Sequence, residues 1–161
     1  MRNLLWLIFS LILIIADRLL KDLVSDALSL HEIIPITSFL NITLAYNTGA
    51  AFSFLNDAGG WQQYLFTGVA IIVSSIMVIW LYRLPSSDHF TASALALIIG
   101  GALGNLWDRL IFGHVIDFID FYILTWHFAA FNLADAAICL GAAILILTSF
   151  RKDSTPTTKN L

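Results

Sequence analysis

The chain has 161 residues, 59% of them hydrophobic and only 12% charged, with a formal net charge of −3 at pH 7. An ordinary soluble domain is about 45–50% apolar and about 25% charged, so this composition excludes one and points to a membrane protein organised as one domain. The single cysteine, Cys139, excludes an intramolecular disulfide and a multi-cysteine metal centre. It sits in an apolar run and reads as a small packing residue.

Arg2 precedes an apolar run, Leu4–Ala16, which has the length of a signal-peptide core. No small-residue cleavage site follows it; Asp17-Arg18 does. Thirteen helical residues rise only about 20 Å against a hydrocarbon core of about 30 Å. The helix is therefore expected to continue to Lys21, as an uncleaved first span over about 4–21. Residues 22–60 are more polar. His31–Pro35 and Phe39–Leu44 alternate as short strands, Asn47-Thr48-Gly49 signals a turn, and Ala50–Leu55 is expected to open a short interfacial helix. Trp61–Tyr82 carries no charge and is flanked by aromatic residues, as expected of span two (61–82). Span three is expected at 90–109 and span four at 128–150, with a second extramembrane segment at 110–127. The tail, 151–161, is polar.

The fold expected is mainly α: a polytopic four-transmembrane-helix bundle with a small extramembrane β-element and a short interfacial helix on its outer side. Arg2, Arg83, Arg151, Lys152 and Lys159 gather on one side of the spans, which predicts that both termini are cytoplasmic and the two longer segments external.

Depth is also legible. Counting about 1.5 Å per residue from the cytoplasmic boundaries puts Asp17 at about 22 Å, Asn105 at about 24 Å and Asp135 at about 24 Å. Lys21, Arg109 and Asn132 fall a turn higher, at about 28–30 Å. Spans one, three and four thus present polar groups at one level near the outer face, whereas span two supplies none and reads as scaffold. Polar groups at matched depth on separate spans suggest a shared site facing the bundle interior. Asn105, Asp108 and Arg109 share a helix face, as do Asn132 and Asp135. The glycines Gly100, Gly101 and Gly104 permit close helix approach.

Ser74 and Ser75 lie mid-span, far from any histidine, which disfavours a serine nucleophile. A metal site drawn from His114, Asp117, His127 and Asp135 lacks an H-E-x-x-H pattern, so no metal or other cofactor is expected. Carboxylates remain. A close pair tends to share one proton, so one can activate water while the other polarises a carbonyl. Asp135 stands out because it lies within a span with no basic residue near it in sequence. Asp117, on a loop, is less distinctive. Asp108 with Arg109 reads as an ion pair at a helix end, Asp17 with Lys21 as an i,i+4 pair, and Asp120 as a solvent-facing residue.

Five blocks stand in order: D-x-x-x-K (Asp17, Lys21), N-x-G-A-A-F (Asn47 to Phe52), G-G-x-x-G-N-x-x-D-R (Gly100 to Arg109), V-x-D-F (Val115 to Phe118) and F-N-x-A-D (Phe131 to Asp135). Together they resemble the bacterial lipoprotein signal peptidases (signal peptidase II), over about Leu4 to Phe150. That family comprises four-span aspartyl peptidases of the inner membrane, which cleave prolipoproteins just before a diacylglyceryl-modified cysteine. The resemblance implies Asp117 and Asp135 as the catalytic pair. It implies Asn47, Gly49, Asn105, Arg109 and Asn132 as substrate-binding residues, with Asp17, Lys21, Gly101, Gly104 and Asp108 in support. Arg18 departs from the family, which commonly has glutamine there. The partners implied are a diacylglyceryl-modified prolipoprotein and membrane lipids, with no nucleic acid, and the chain is expected to act as a monomer. Phe52 and Phe54 would close over the substrate as a lid. The rival reading is a small proton-linked transporter or channel subunit using Asp135, whose signature would be polar groups across the whole membrane thickness.

Overall fold

A computed structural model of the chain describes residues 2–49 and 59–152. A 3-10 turn, Arg2–Leu5, leads into α1 (Trp6–Ala27). Strands β1 (Ile33–Pro35) and β2 (Leu40–Asn47) follow, then α2 (Trp61–Arg83) and α3 (His89–Phe112). The chain ends with β3 (Val115–Ile123), β4 (Trp126–His127) and α4 (Leu133–Lys152). Among the described residues, four helices are long and apolar enough to cross a membrane. The strands form one antiparallel sheet in the order β1-β2-β3-β4. The interfacial helix and lid expected at Ala50–Leu55 lie outside the described residues, as does the tail from residue 153.

The helices end where local chemistry stops them, not at the expected span limits. α1 runs on to Ala27 because Val24 and Leu28 still have an apolar surface to meet: Leu44, Ile116 and Phe118 of the sheet. α3 stops at Gly113, whose φ of +77° suits glycine and whose N–H closes on the Arg109 carbonyl. α4 starts at Leu133, not near Phe128. Residues 128–131 instead run beside β3, with Phe128 N–H donating to Phe121 and Phe131 N–H to Ile119. The segment linking α3 to α4, which gave no strand signal, thus supplies half of the sheet.

α3 is the axis of the bundle. Its apolar window is 72% buried, against 17% in each of the other three spans. Those three turn large side chains outward, including Ile12, Ile72 and Leu147. That is untenable in water and natural in lipid. Small residues let the helices close on α3. A Cβ on Gly101 would run into the Ala134 carbonyl and the Ile138 side chain of α4, and one on Gly104 would lie 3.1 Å from Asp17 Oδ2 of α1. Ser10 of α1 adds a hydrogen bond to the Ala96 carbonyl, at 2.8 Å.

Gly101→Leu should therefore force α4 away from α3 and lower the melting temperature of the detergent-solubilised protein by many degrees. Gly68→Ala, with nothing within 4 Å of the new Cβ, should leave it within a degree or two.

Candidate functional site

The start of α4 organises the site. Asn132 is its N-cap: Oδ1 accepts from the Asp135 N–H at 2.9 Å, and Asp135 Oδ2 accepts from the Asn132 N–H at 3.3 Å. This is a reciprocal capping box, with Asp135 as the third helical residue. The Asn132 amide nitrogen meanwhile donates outward, 2.7 Å from Asp117 Oδ1 and 3.2 Å from the Ile116 carbonyl. One side chain, fully buried, therefore touches both acidic residues.

Each carboxylate has a second amide. Asn47, at the end of β2, donates to Asp117 Oδ2 at 2.9 Å, and Asn105 of α3 donates to Asp135 Oδ1 at 2.8 Å. The cross-strand register pairs Asn47 with Val115 and Ala45 with Asp117, so the sheet carries Asn47 to Asp117. Asp117 is 2% exposed. Burial, reinforced by the nearby Asp135 charge, pushes its carboxyl up to about 7, although Asn47 and Asn132 pull the other way.

Behind the pair lies a buried charge cluster. Lys21 Nζ sits 2.6 Å from Asp17 Oδ2, 2.7 Å from Asp108 Oδ2 and 3.1 Å from Asn105 Oδ1. That last bond turns the Asn105 amide so that its NH2 faces Asp135. Asp17 Oδ1 accepts the Ala134 N–H at 3.0 Å, placing a carboxylate at the positive end of α4. The expected Asp17–Lys21 pair is present. The expected Asp108–Arg109 pair is not: Asp108 binds Lys21 and, at 2.8 Å, Arg18. Arg18 also pairs with Asp22 and lies over the Phe112 ring. The residue that departs from the family pattern thus acts on Asp108.

Arg109 points the other way. Its Nη2 donates to the Gly49 carbonyl at 3.1 Å, and the Gly49 N–H donates to Asn47 Oδ1 at 2.9 Å. Its Nε is buried without a partner among the described residues. A cavity of about 270 Å³ opens here, with Asn105, Arg109 and Asp135 at one end. Phe66, Val69, Ala70 and Val73 of α2 form one wall, so span two, read from the sequence as plain scaffold, shapes the cavity. Gln63 of α2 also donates to the Arg109 carbonyl, at 3.0 Å. Cys139 lines the cavity and is exposed, not packed away.

The histidines stay apart from the carboxylate pair. His114 lies tilted against Tyr46, ring centroids 4.1 Å apart, and burial lowers its basicity. His127 lies beside Asp120, which is buried against Asn41 and not solvent-facing. Among the described residues, no group of three or more His, Cys, Asp or Glu side chains converges to hold a metal ion.

Four bilayer-length helices, three of which line an apolar groove that carries Asn105, Arg109 and Asp135, define a multi-pass membrane protein with a polar site beside a small sheet. Residues 9–151 match the family model described as signal peptidase (SPase) II, and the chain belongs to that family of peptidases. It is 51% identical over 148 residues to the lipoprotein signal peptidase of Acinetobacter baylyi, covering 92% of this chain and 83% of that one. It is 49% identical over 150 residues to that of Ectopseudomonas mendocina, covering 92% and 89%. A solved bacterial membrane enzyme superposes with a TM-score of 0.84 at 28% identity, covering 99% of this chain and 93% of its own. A second gives 0.76 at 29% identity, covering 91% of each.

Asp117 also carries a stability signature. Its folded-state value, about 7, lies above its ordinary 3.8. The fold therefore tolerates the protonated carboxyl and is destabilised by the ionised one. Stability from this group is fully present below about pH 4 and lost as pH rises through about 7. Asp117→Asn should melt above the parent protein at pH 8, and the difference should vanish towards pH 4.

Proposed function

We propose that the chain is an aspartic endopeptidase whose domain extends through residue 150, and that Asp117 and Asp135 share one proton as its catalytic pair. The ionised member removes a proton from water as it attacks the scissile carbonyl. The protonated member donates its proton to the developing oxyanion and takes it back as the tetrahedral intermediate collapses, while the member that took water's proton passes it to the leaving amine. The single observation carrying this reading is the Asn132 side chain, which bonds Asp117 while capping the helix turn that presents Asp135.

The substrate proposed is a diacylglyceryl-modified prolipoprotein, cut just before its lipidated cysteine. The relatives are named lipoprotein signal peptidases, and the apolar lining of the cavity suits an apolar substrate segment that ends beside Asp135. Asn47, Asn105 and Asn132 would satisfy the unwound peptide backbone where water is scarce. The unpartnered Arg109 Nε would take a carbonyl or ester oxygen. The Lys and Arg distribution supports cytoplasmic termini and a site near the periplasmic face of the inner membrane. Membrane lipids surround a chain that acts as a monomer. Membership of a peptidase family sets aside the transporter or channel reading of Asp135.

With purified enzyme and lipid-modified precursor, Asp117→Asn and Asp135→Asn should each reduce cleavage by at least about a thousandfold while remaining folded and inserted. Appreciable turnover by either variant would refute the pairing. The parent rate should be higher at pH 6 than at pH 9, where the shared proton is lost. It should survive chelators; EDTA sensitivity reversed by zinc would revive a metal mechanism.

A further inference from the structure

Beyond the carboxylate pair and the Lys21 cluster behind it, a further polar cluster spans the sheet, joining the half-exposed His127 to two buried residues. Asp120 of β3 is 6% exposed and Asn41 of β2 is 5% exposed. They face each other in register, with Asn41 Nδ2 donating to Asp120 Oδ2 at 2.8 Å. His127 Nδ1 lies 3.0 and 2.9 Å from the two Asp120 oxygens and donates to them. Tyr122 stacks on the His127 ring, centroids 5.2 Å apart at 14°, and its hydroxyl donates to the Thr37 carbonyl. His127 is the partner of Asp120 among the described ion pairs. A carboxylate buried this far from lysine or arginine is costly to keep, so its role is sought in what it holds.

What it holds is register. Tyr122 pairs with His127 and Ile123 with Trp126, yet further along Ile119 pairs with Phe131. Three residues back along β3 correspond to four residues forward along the returning chain. The return therefore carries one extra residue, a bulge between His127 and Phe131. Beyond the bulge the return is held by backbone bonds of Phe131 with Phe118 and Ile119, and before it β4 has only two residues, so a side-chain contact there adds to a short ladder. Immediately beyond the bulge come Asn132 and Asp135, while Asp117 sits on β3 itself. A slip of one residue would displace Asn132 relative to Asp117 by about 3.3 Å.

We propose that Asp120, backed by Asn41, clamps His127 so as to set the register of the chain entering α4, and with it the separation of Asp117 and Asp135. All three are positioning residues, and the proposal rests on the catalytic-pair reading. The clamp lies across the bulge, joining the strand that bears one carboxylate to the segment that delivers the other.

The test is steady-state cleavage of lipid-modified precursor by the full-length enzyme across pH, with His127→Ala, His127→Phe and His127→Asn. Phenylalanine keeps the stacking on Tyr122 without the donor. Asparagine offers an NH2 close to the position of Nδ1. His127→Ala and His127→Phe should lower kcat at least about tenfold, a fraction of what an ångström of misplacement can cost, with KM within twofold. Their pH profiles should move to lower pH, because Asp117 feels a more distant Asp135 less. His127→Asn should recover most of the rate and the parental profile. If His127→Ala does not accumulate, His127→Phe carries the test. A parental rate in His127→Phe overturns the clamp. So does a reduced rate with an unmoved profile, or one that His127→Asn fails to rescue. Asp117→Asn and Asp135→Asn in the same assay separate the two failures. If both are inactive while His127→Phe is parental, only the clamp falls; if either turns over substrate, the catalytic pair falls and takes the clamp with it.

Discussion

A polar group carried to the edge of a bilayer must find its hydrogen bonds within the protein, because lipid offers none. That constraint shapes everything around Asn132. Its backbone N–H, its side-chain oxygen and its side-chain nitrogen are all committed, to Asp135 and to Asp117. The first turn of α4 is then completed by Asp17 on the Ala134 N–H and by the Asn132 carbonyl on the Ala136 N–H. Helix capping and site construction are here the same set of bonds. A helix N-terminus that would otherwise leave orphan donors becomes the place where the second carboxylate is presented.

The same constraint explains the charge cluster behind the site. Lys21 is fully buried, which is tolerable only because Asp17, Asp108 and the Asn105 carbonyl oxygen surround it. Asp108 also accepts from the Ile116 N–H at 3.3 Å, so the cluster reaches the strand that bears Asp117. α1, α3, α4 and β3 are thereby tied at one level. The glycines of α3 are part of this arrangement, since side chains at Gly101 or Gly104 would hold α4 or Asp17 away. In the proposed reaction, a rigid polar floor of this kind keeps the acidic pair oriented while an apolar substrate segment occupies the groove beside it.

How much of this was legible from residues alone depended on what each residue reports. Asp135 stood out because an acid inside a span is anomalous wherever it points. Asp117 had no such mark; its burial comes from the sheet folding over it, and only the family resemblance singled it out. Asp108 was assigned its sequence neighbour, Arg109, yet it bonds Lys21 and Arg18, which approach from α1. Asp120 looked solvated because charged loop residues usually are, and it is buried because Asn41 and His127 cover it. α2 carries no ionisable group in its membrane interior, so nothing announced that it would wall the cavity.

By itself the sequence determined that the chain lives in a membrane, roughly where its long helices run and that three of them carry polar residues to a common depth. Those are local quantities: hydropathy is summed residue by residue, and helical rise per residue is constant. Only the tertiary structure decided which polar group meets which, because the partners lie far apart in the chain: Asp17 and Ala134 are separated by 117 positions and Asn47 and Asp117 by 70. Such pairings are selected by helix packing and strand register, and neither is encoded at any single position.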